Sequence, residues 1–237
     1  MITAYDLDVR DFTSNTTIRL ISTAYIDEPA LSPLADDEDD RALLEEIEGL
    51  TSARLNPALP RPPGLSPEEL LSNAHGYGWT YVNAAFCYTR PTGNRFNDGD
   101  RGAWYATYGD NAVAAAQAEV AFHLTRELSA VGIYENLTRY RELIAGFTTR
   151  FHDLHGHEDE PCLSTDIDIA YPAGQQLARD VLAVGGNGVM FPSARYAGGR
   201  CLAAFRPFLI QNIRQGATWQ FEWAGNPTPN ITAAEAA

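Results

Sequence analysis

The chain has 237 residues, 45% of them hydrophobic, which suffices for one large domain or two small ones. Its formal net charge is −14 and all seventeen basic residues are arginine. That balance, with no basic stripe, argues against nucleic-acid binding, and the lack of lysine excludes Schiff-base chemistry, a Walker-type phosphate loop and a lysine general base.

No run approaches the roughly 18 apolar residues of a membrane span, and the acidic start "MITAYDLDVRDF" lacks the basic and apolar regions of an export signal. Cys87, Cys162 and Cys201 are odd in number and without CxxC spacing, which suits a reducing compartment. The expectation is a soluble cytoplasmic protein.

In chain order, "TIRLIS" (17–22) reads as a strand with Ile18 and Leu20 on one face and Arg19 on the other. From about 30 to 75 the composition changes. An acidic run, Asp36 to Asp40, starts a helix carrying Leu43, Leu44, Ile47 and Leu50, and a proline-rich connection leads to a second helix started by the capping box Ser66, Pro67, Glu69. This segment reads as a helical insertion or lid. "GYGWTYVNAAFCYT" is aromatic and β-prone, "RPTGNRFNDGDR" is turn-rich, and "GAWYAT" is a short strand. Asp110 caps an Ala-rich helix to about Ser129, a second helix covers about Thr138 to Phe147, and Pro172 opens a third that Gly185 and Gly186 stop. Strands at 188–191, 201–205 and 218–223 complete the chain. Short strands mixed with helices, without regular βαβ repetition, favour a single α+β domain over residues 1–237.

Three groups of residues invite a chemical reading. Glu119 sits among Ala115, Ala116, Ala118 and Val120, a small-residue face that either meets water or lets a backbone or ligand come close, and His123 follows four residues later. His152, His155 and His157 with Cys162 tempt toward a metal site, but no zincin or paired CxxC pattern is present and an exposed loop is favoured. In "GGNGVMFPSARYAGGRC" Pro192 cannot donate a ladder hydrogen bond, so the strand stops there and Ser193 falls on its rim.

Four segments in this order, "TIRLIS", "GNRFNDGDRGAWYAT", "AAAQAEVAFH" and "YPAGQQLARDVLAVGGNGVMFPSARYAGGRCLAAF", resemble the RES domain, a bacterial family of NAD-degrading toxins named for arginine, glutamate and serine. The resemblance implies a mixed, strongly bent sheet similar to the ADP-ribosyltransferase core, with the 30–75 segment added to it. It assigns catalytic roles to Arg19, Glu119 and Ser193, and substrate contacts to Arg95, the following Phe96, and Tyr105. Asn94 replaces the family's glycine before Arg95, and a few extra residues between Tyr105 and Glu119 leave Tyr108 as a rival for the tyrosine role. The implied activity is cleavage of NAD with phosphate or water as acceptor, NAD being substrate and no cofactor or metal being needed. Transfer of ADP-ribose to a protein and a non-catalytic binding module are the alternatives. A helix-turn-helix, Xre-like antitoxin is the implied partner, and self-association is left open.

Overall fold

The strand read from "TIRLIS" is the end of a longer one. In the computed structural model, which describes residues 2–26 and 50–234, β1 spans Asp8–Ser22 and runs antiparallel along β3, Glu135–Asp153, with a bulge between Ser14 and Thr17. The other strands are β2 (Trp104–Tyr108), β4 (Gly188–Pro192), β5 (Arg200–Ala204), β6 (Gln211–Ala224) and β7 (Asn230–Ala233). Among the described residues they form one sheet in the order β1-β2-β5-β4-β3-β6-β7, and β1 also pairs with β3. Strands β1, β2, β5, β4 and β3 therefore close on one another, while β6 and β7 extend from the outer part of β3. The sheet is mixed because β3 and β4 run parallel, His152 opposite Val189. The fold is α+β, as the element pattern predicts.

Both faces of the inner strands are covered, and the period-two alternation sorts their side chains. Val189, Phe191, Cys201 and Ala203 join Leu177 and Val181 of α3 (Ile167–Ala183) in one cluster. Met190, Leu202, Ala204, Trp104 and Ala106 face the opposite way and pack with Val82 and Phe86 of α1 (Trp79–Cys87). The Ala-rich α2 (Ala112–Val131) lies on β1, with Ala112 and Ala116 against Ile18.

Several elements differ from the sequence reading. The β-prone aromatic stretch is α1: Val82, Asn83, Phe86 and Cys87 are buried at helical spacing, and the Asn83 side chain bonds Leu71 N, Leu71 O and Arg54 O, each at 2.9 Å. Those tertiary contacts override β-propensity. The helix expected at 138–147 is part of β3, flanked by β1 and β6, with Leu143, Ala145 and Phe147 alternating into the core. Helix α3 begins at Ile167, where the Asp166 carboxylate accepts from Asp168 N, so Pro172 lies inside it. The cap position of α2 is Asn111, not Asp110. Ser66 and Glu69 do make a capping box, but around a single 3-10 turn, and the Glu69 carboxylate also pairs with Arg101.

Asp36 to Asp40, Leu43, Leu44 and Ile47 lie outside the described residues. Of the segment's described part, Leu65 and Leu71 are buried beside α1. None of the described residues 50–75 borders the cavity described next. No helix among the described residues is long and apolar enough to cross a membrane.

Candidate active site

A cavity of about 270 Å³ opens where β1, β2, α2, the start of α3 and the turn after β4 meet. Its wall contains Arg19, Arg95, Tyr105, Glu119, His123, Tyr171, Phe191 and Arg195. Positions 19, 95, 105 and 119, far apart in the chain, thus share one wall.

Arg19 leaves β1 beside Ile18 and Leu20, which pack toward α2. Its Nη1 donates to the Tyr105 carbonyl at 3.2 Å, and its guanidinium carbon lies 5.0 Å from the centroid of the Trp104 ring. Burial pushes its pKa down to about 10, so it remains a cation at neutral pH, fixed and partly desolvated.

Glu119 projects from α2 one turn beyond Ala115 and Ala116. The small residues admit a backbone: a Cβ on Gly199 would lie 2.9 Å from the Ala115 Cβ and 3.0 Å from the Ser193 Cβ, so the 193–199 turn comes closer to the helix than a side chain there would permit. This brings the Ser193 hydroxyl to Glu119, where it donates to Oε1 at 2.8 Å. Ser193 Oγ in turn accepts from Arg195 N at 3.2 Å and Tyr196 N at 3.1 Å. Two amides on the oxygen leave its proton directed at the carboxylate. Cys201, in the same wall, is an inert thiol, pushed up to about 12 by burial and then by the Glu119 charge.

Arg95 is held by α3. Gly174 has no room for a Cβ, which would sit 2.1 Å from the Arg95 carbonyl oxygen. The Gln175 amide donates to Thr92 O and Asn94 O, each at 3.0 Å. The Arg95 guanidinium donates through Nη1 to Cys162 O at 2.7 Å and Ser164 O at 3.0 Å. The Tyr105 ring borders the cavity, while its hydroxyl accepts from Phe96 N at 2.8 Å and donates to Asn97 Oδ1 at 3.0 Å, tying the same loop. Burial pushes this phenol well above the usual tyrosine range.

The remaining sequence candidates are placed elsewhere. Phe96 is buried behind the wall, 4.7 Å from Phe191 ring to ring. Tyr108 packs edge-on against Phe12 at 4.9 Å in the α1-side cluster, away from the cavity. Two wall residues had no role in the sequence reading. Arg195 lays its guanidinium 3.4 Å over the Phe122 ring and donates to Thr165 O at 3.0 Å; Tyr171 comes from the first turns of α3. The signal for Arg195 was its place two residues after Ser193. Among the described residues no group of His, Cys, Asp and Glu is arranged to hold a metal.

The geometry defines a class first: an α+β protein whose cavity presents several arginines and one serine-bonded glutamate. The RES domain family model matches residues 70–224, and the chain belongs to that family. Among solved structures, a chain in the crystal structure of the M. tuberculosis MbcT–MbcA toxin–antitoxin complex is similar at 13% identity and a TM-score of 0.40, over 89% of this chain and 85% of that one. No curated protein matches.

Proposed function

We propose that the cavity binds NAD and that the protein cleaves its nicotinamide–ribose bond, with phosphate or water as acceptor. One observation carries this reading. Three cavity arginines, Arg19, Arg95 and Arg195, are anchored by backbone carbonyls and have no carboxylate within ion-pair distance among the described residues, while the carboxylate beside them, Glu119, is oriented by Ser193. Such a wall suits a ligand that is anionic along one part and becomes cationic at another.

In the proposed reaction the bond between ribose C1′ and the pyridinium nitrogen breaks, and its electron pair neutralises the nicotinamide. The ribosyl cation left behind is stabilised by the Glu119 carboxylate in a partly desolvated site. A phosphate dianion adds to C1′ directly, whereas water adds and releases a proton. Arg19 and Arg95 hold the pyrophosphate. Ser193 keeps Glu119 in place. None of these steps calls for a metal or a further cofactor.

Family membership supports action as a cytoplasmic toxin with an antitoxin partner. The test is incubation of pure protein with NAD, with and without phosphate, and chromatography of the products. Nicotinamide with ADP-ribose or ADP-ribose phosphate is expected. Label from NAD appearing on protein in a lysate would indicate the transferase reading instead, and no nicotinamide in either buffer would defeat the proposal.

A further inference from the structure

A second cavity, of about 480 Å³, lies at the opposite end of α3 and shares no lining residue with the first. Tyr171 borders one and Val184 the other, a separation along the helix of roughly 20 Å. The walls come from the turn at Ala4–Asp6, the start of β1, the end of β3 and the glycines that stop α3. Tyr5, Val9 and Val184 line it and are exposed. Three large apolar side chains gathered at one mouth form a surface that a ligand can cover.

The polar groups of the lining are neutral or already paired. His152 is buried, yet its Nδ1 has no hydrogen-bond partner among the described residues, an arrangement that a bound partner would relieve. Burial pushes its pKa down, against the Gly188 carbonyl, which pushes it up. The ring is thus uncharged at neutral pH and carries one N–H donor and one acceptor. A Cβ on Gly186 would lie 2.7 Å from His152 Cε1, so a side chain there would crowd the imidazole. The Asn187 amide donates to Thr149 Oγ1 at 2.8 Å, which leaves its second N–H and its oxygen for a ligand. Arg150 is the one charged residue of the lining, and Asp11 pairs with it at 3.4 Å.

We propose that this cavity binds a planar, uncharged heteroaromatic ring with an amide or amidine edge, carried either by a free pyridine carboxamide or by the adenine of a nucleotide. The ring covers Tyr5, Val9 and Val184, and its edge exchanges hydrogen bonds with His152 and Asn187, as side-chain amides do with the edges of bases. A charged group gains nothing here, because the only cation is already answered. Occupancy does not depend on the NAD reaction proposed above.

The experiment is calorimetric titration of the full chain with nicotinamide and, separately, with adenosine monophosphate, on wild type, His152→Leu and Tyr5→Ala. Tyr5 is exposed, so its variant carries the test if His152→Leu does not fold. Saturable nicotinamide binding, weakened about tenfold by either substitution, is expected if the source is the free carboxamide. If the source is the nucleotide, adenosine monophosphate shows that pattern and nicotinamide does not bind. Failure of both probes to bind, or binding that either folded variant leaves at wild-type strength, would overturn the site. The expected pattern without any nicotinamide release from NAD would remove the reaction and leave this site standing.

Discussion

Gly174→Ala adds one methyl group to α3 where a Cβ would lie 2.1 Å from the Arg95 carbonyl oxygen. Carbon and oxygen in ordinary contact keep roughly 3.3 Å, so helix and loop must separate by about 1 Å. The loop has little freedom to absorb this shift. Gln175 ties it at Thr92 and Asn94, the Tyr105 hydroxyl ties it at Phe96 and Asn97, and the Arg95 side chain is tied to Cys162 and Ser164. Displacement therefore reaches the guanidinium. A misplacement of about 1 Å in a positioning group costs on the order of 100-fold in rate. Stability should move less, because overpacking costs about 1–3 kcal/mol and alanine recovers roughly 1 kcal/mol of helix propensity over glycine. Calorimetric NAD binding, nicotinamide release and a thermal melt on one preparation separate the two effects. Near-normal melting with strongly weakened NAD binding and turnover is the expected outcome. Wild-type KM and kcat in the folded variant would refute the assignment of Arg95 to substrate.

Glu119→Gln preserves shape and removes the charge, so kcat for nicotinamide release should fall by about 100- to 1,000-fold with NAD affinity little changed; a normal kcat would remove the carboxylate from the reaction. Ser193→Ala loses one hydrogen bond, about 0.5–1.5 kcal/mol or roughly three- to tenfold in kcat/KM, and a loss as deep as that of Glu119→Gln would point to a further role for the hydroxyl. His123 titrates near 6.5 when unfolded and near 4 when folded. Its contribution to stability is therefore present above pH 6.5 and lost as pH falls toward 4, by at most about 3 kcal/mol. Chemical denaturation of His123→Gln across that window should show a smaller acid loss than wild type, and equal slopes would contradict the burial of the neutral ring. Expression of the chain alone should arrest a bacterial host while Glu119→Gln is tolerated; robust growth beside measurable nicotinamide release in the lysate would count against a need for an antitoxin.

What could be read from sequence depended on whether an element's cause was local. The Ala-rich run announces α2, and Pro192 announces the end of β4, because helix propensity and a missing amide act within a few residues. The aromatic stretch at 76–89 fits a strand by propensity, and its helical burial comes from tertiary contacts: Asn83 with residues 54 and 71, and Val82 and Phe86 with the sheet. Arg139, Leu143 and Phe147 fit a helix at spacing four, whereas the choice of strand is made by β1 and β6, from distant parts of the chain. The site divides in the same way. Arg19, Glu119 and Ser193 were legible through family resemblance, but the hydrogen bond joining two of them spans 74 positions. Arg195 offered only its place two residues after Ser193, a weak signal because an arginine in a turn is ordinarily solvated.

The exclusive use of arginine acquires a structural meaning at the cavity. A cation paired with a carboxylate is well positioned but largely neutralised, whereas one bonded to a backbone carbonyl is positioned and keeps its charge for a ligand. Arg95 does this through one nitrogen, Nη1, which serves two carbonyls; Arg19 uses Nη1 and Arg195 uses Nη2. Each guanidinium keeps donors on its other nitrogens, pointing from a plane whose orientation is already set. A lysine carries all its donors on one atom, so spending them on carbonyls draws the charge itself away from the cavity. The anchoring carbonyls belong to β2 and to the segment before α3, whereas Glu119 is held from α2 and the turn after β4. An acidic chain can thus present a cationic wall beside the Glu119 carboxylate without neutralising it.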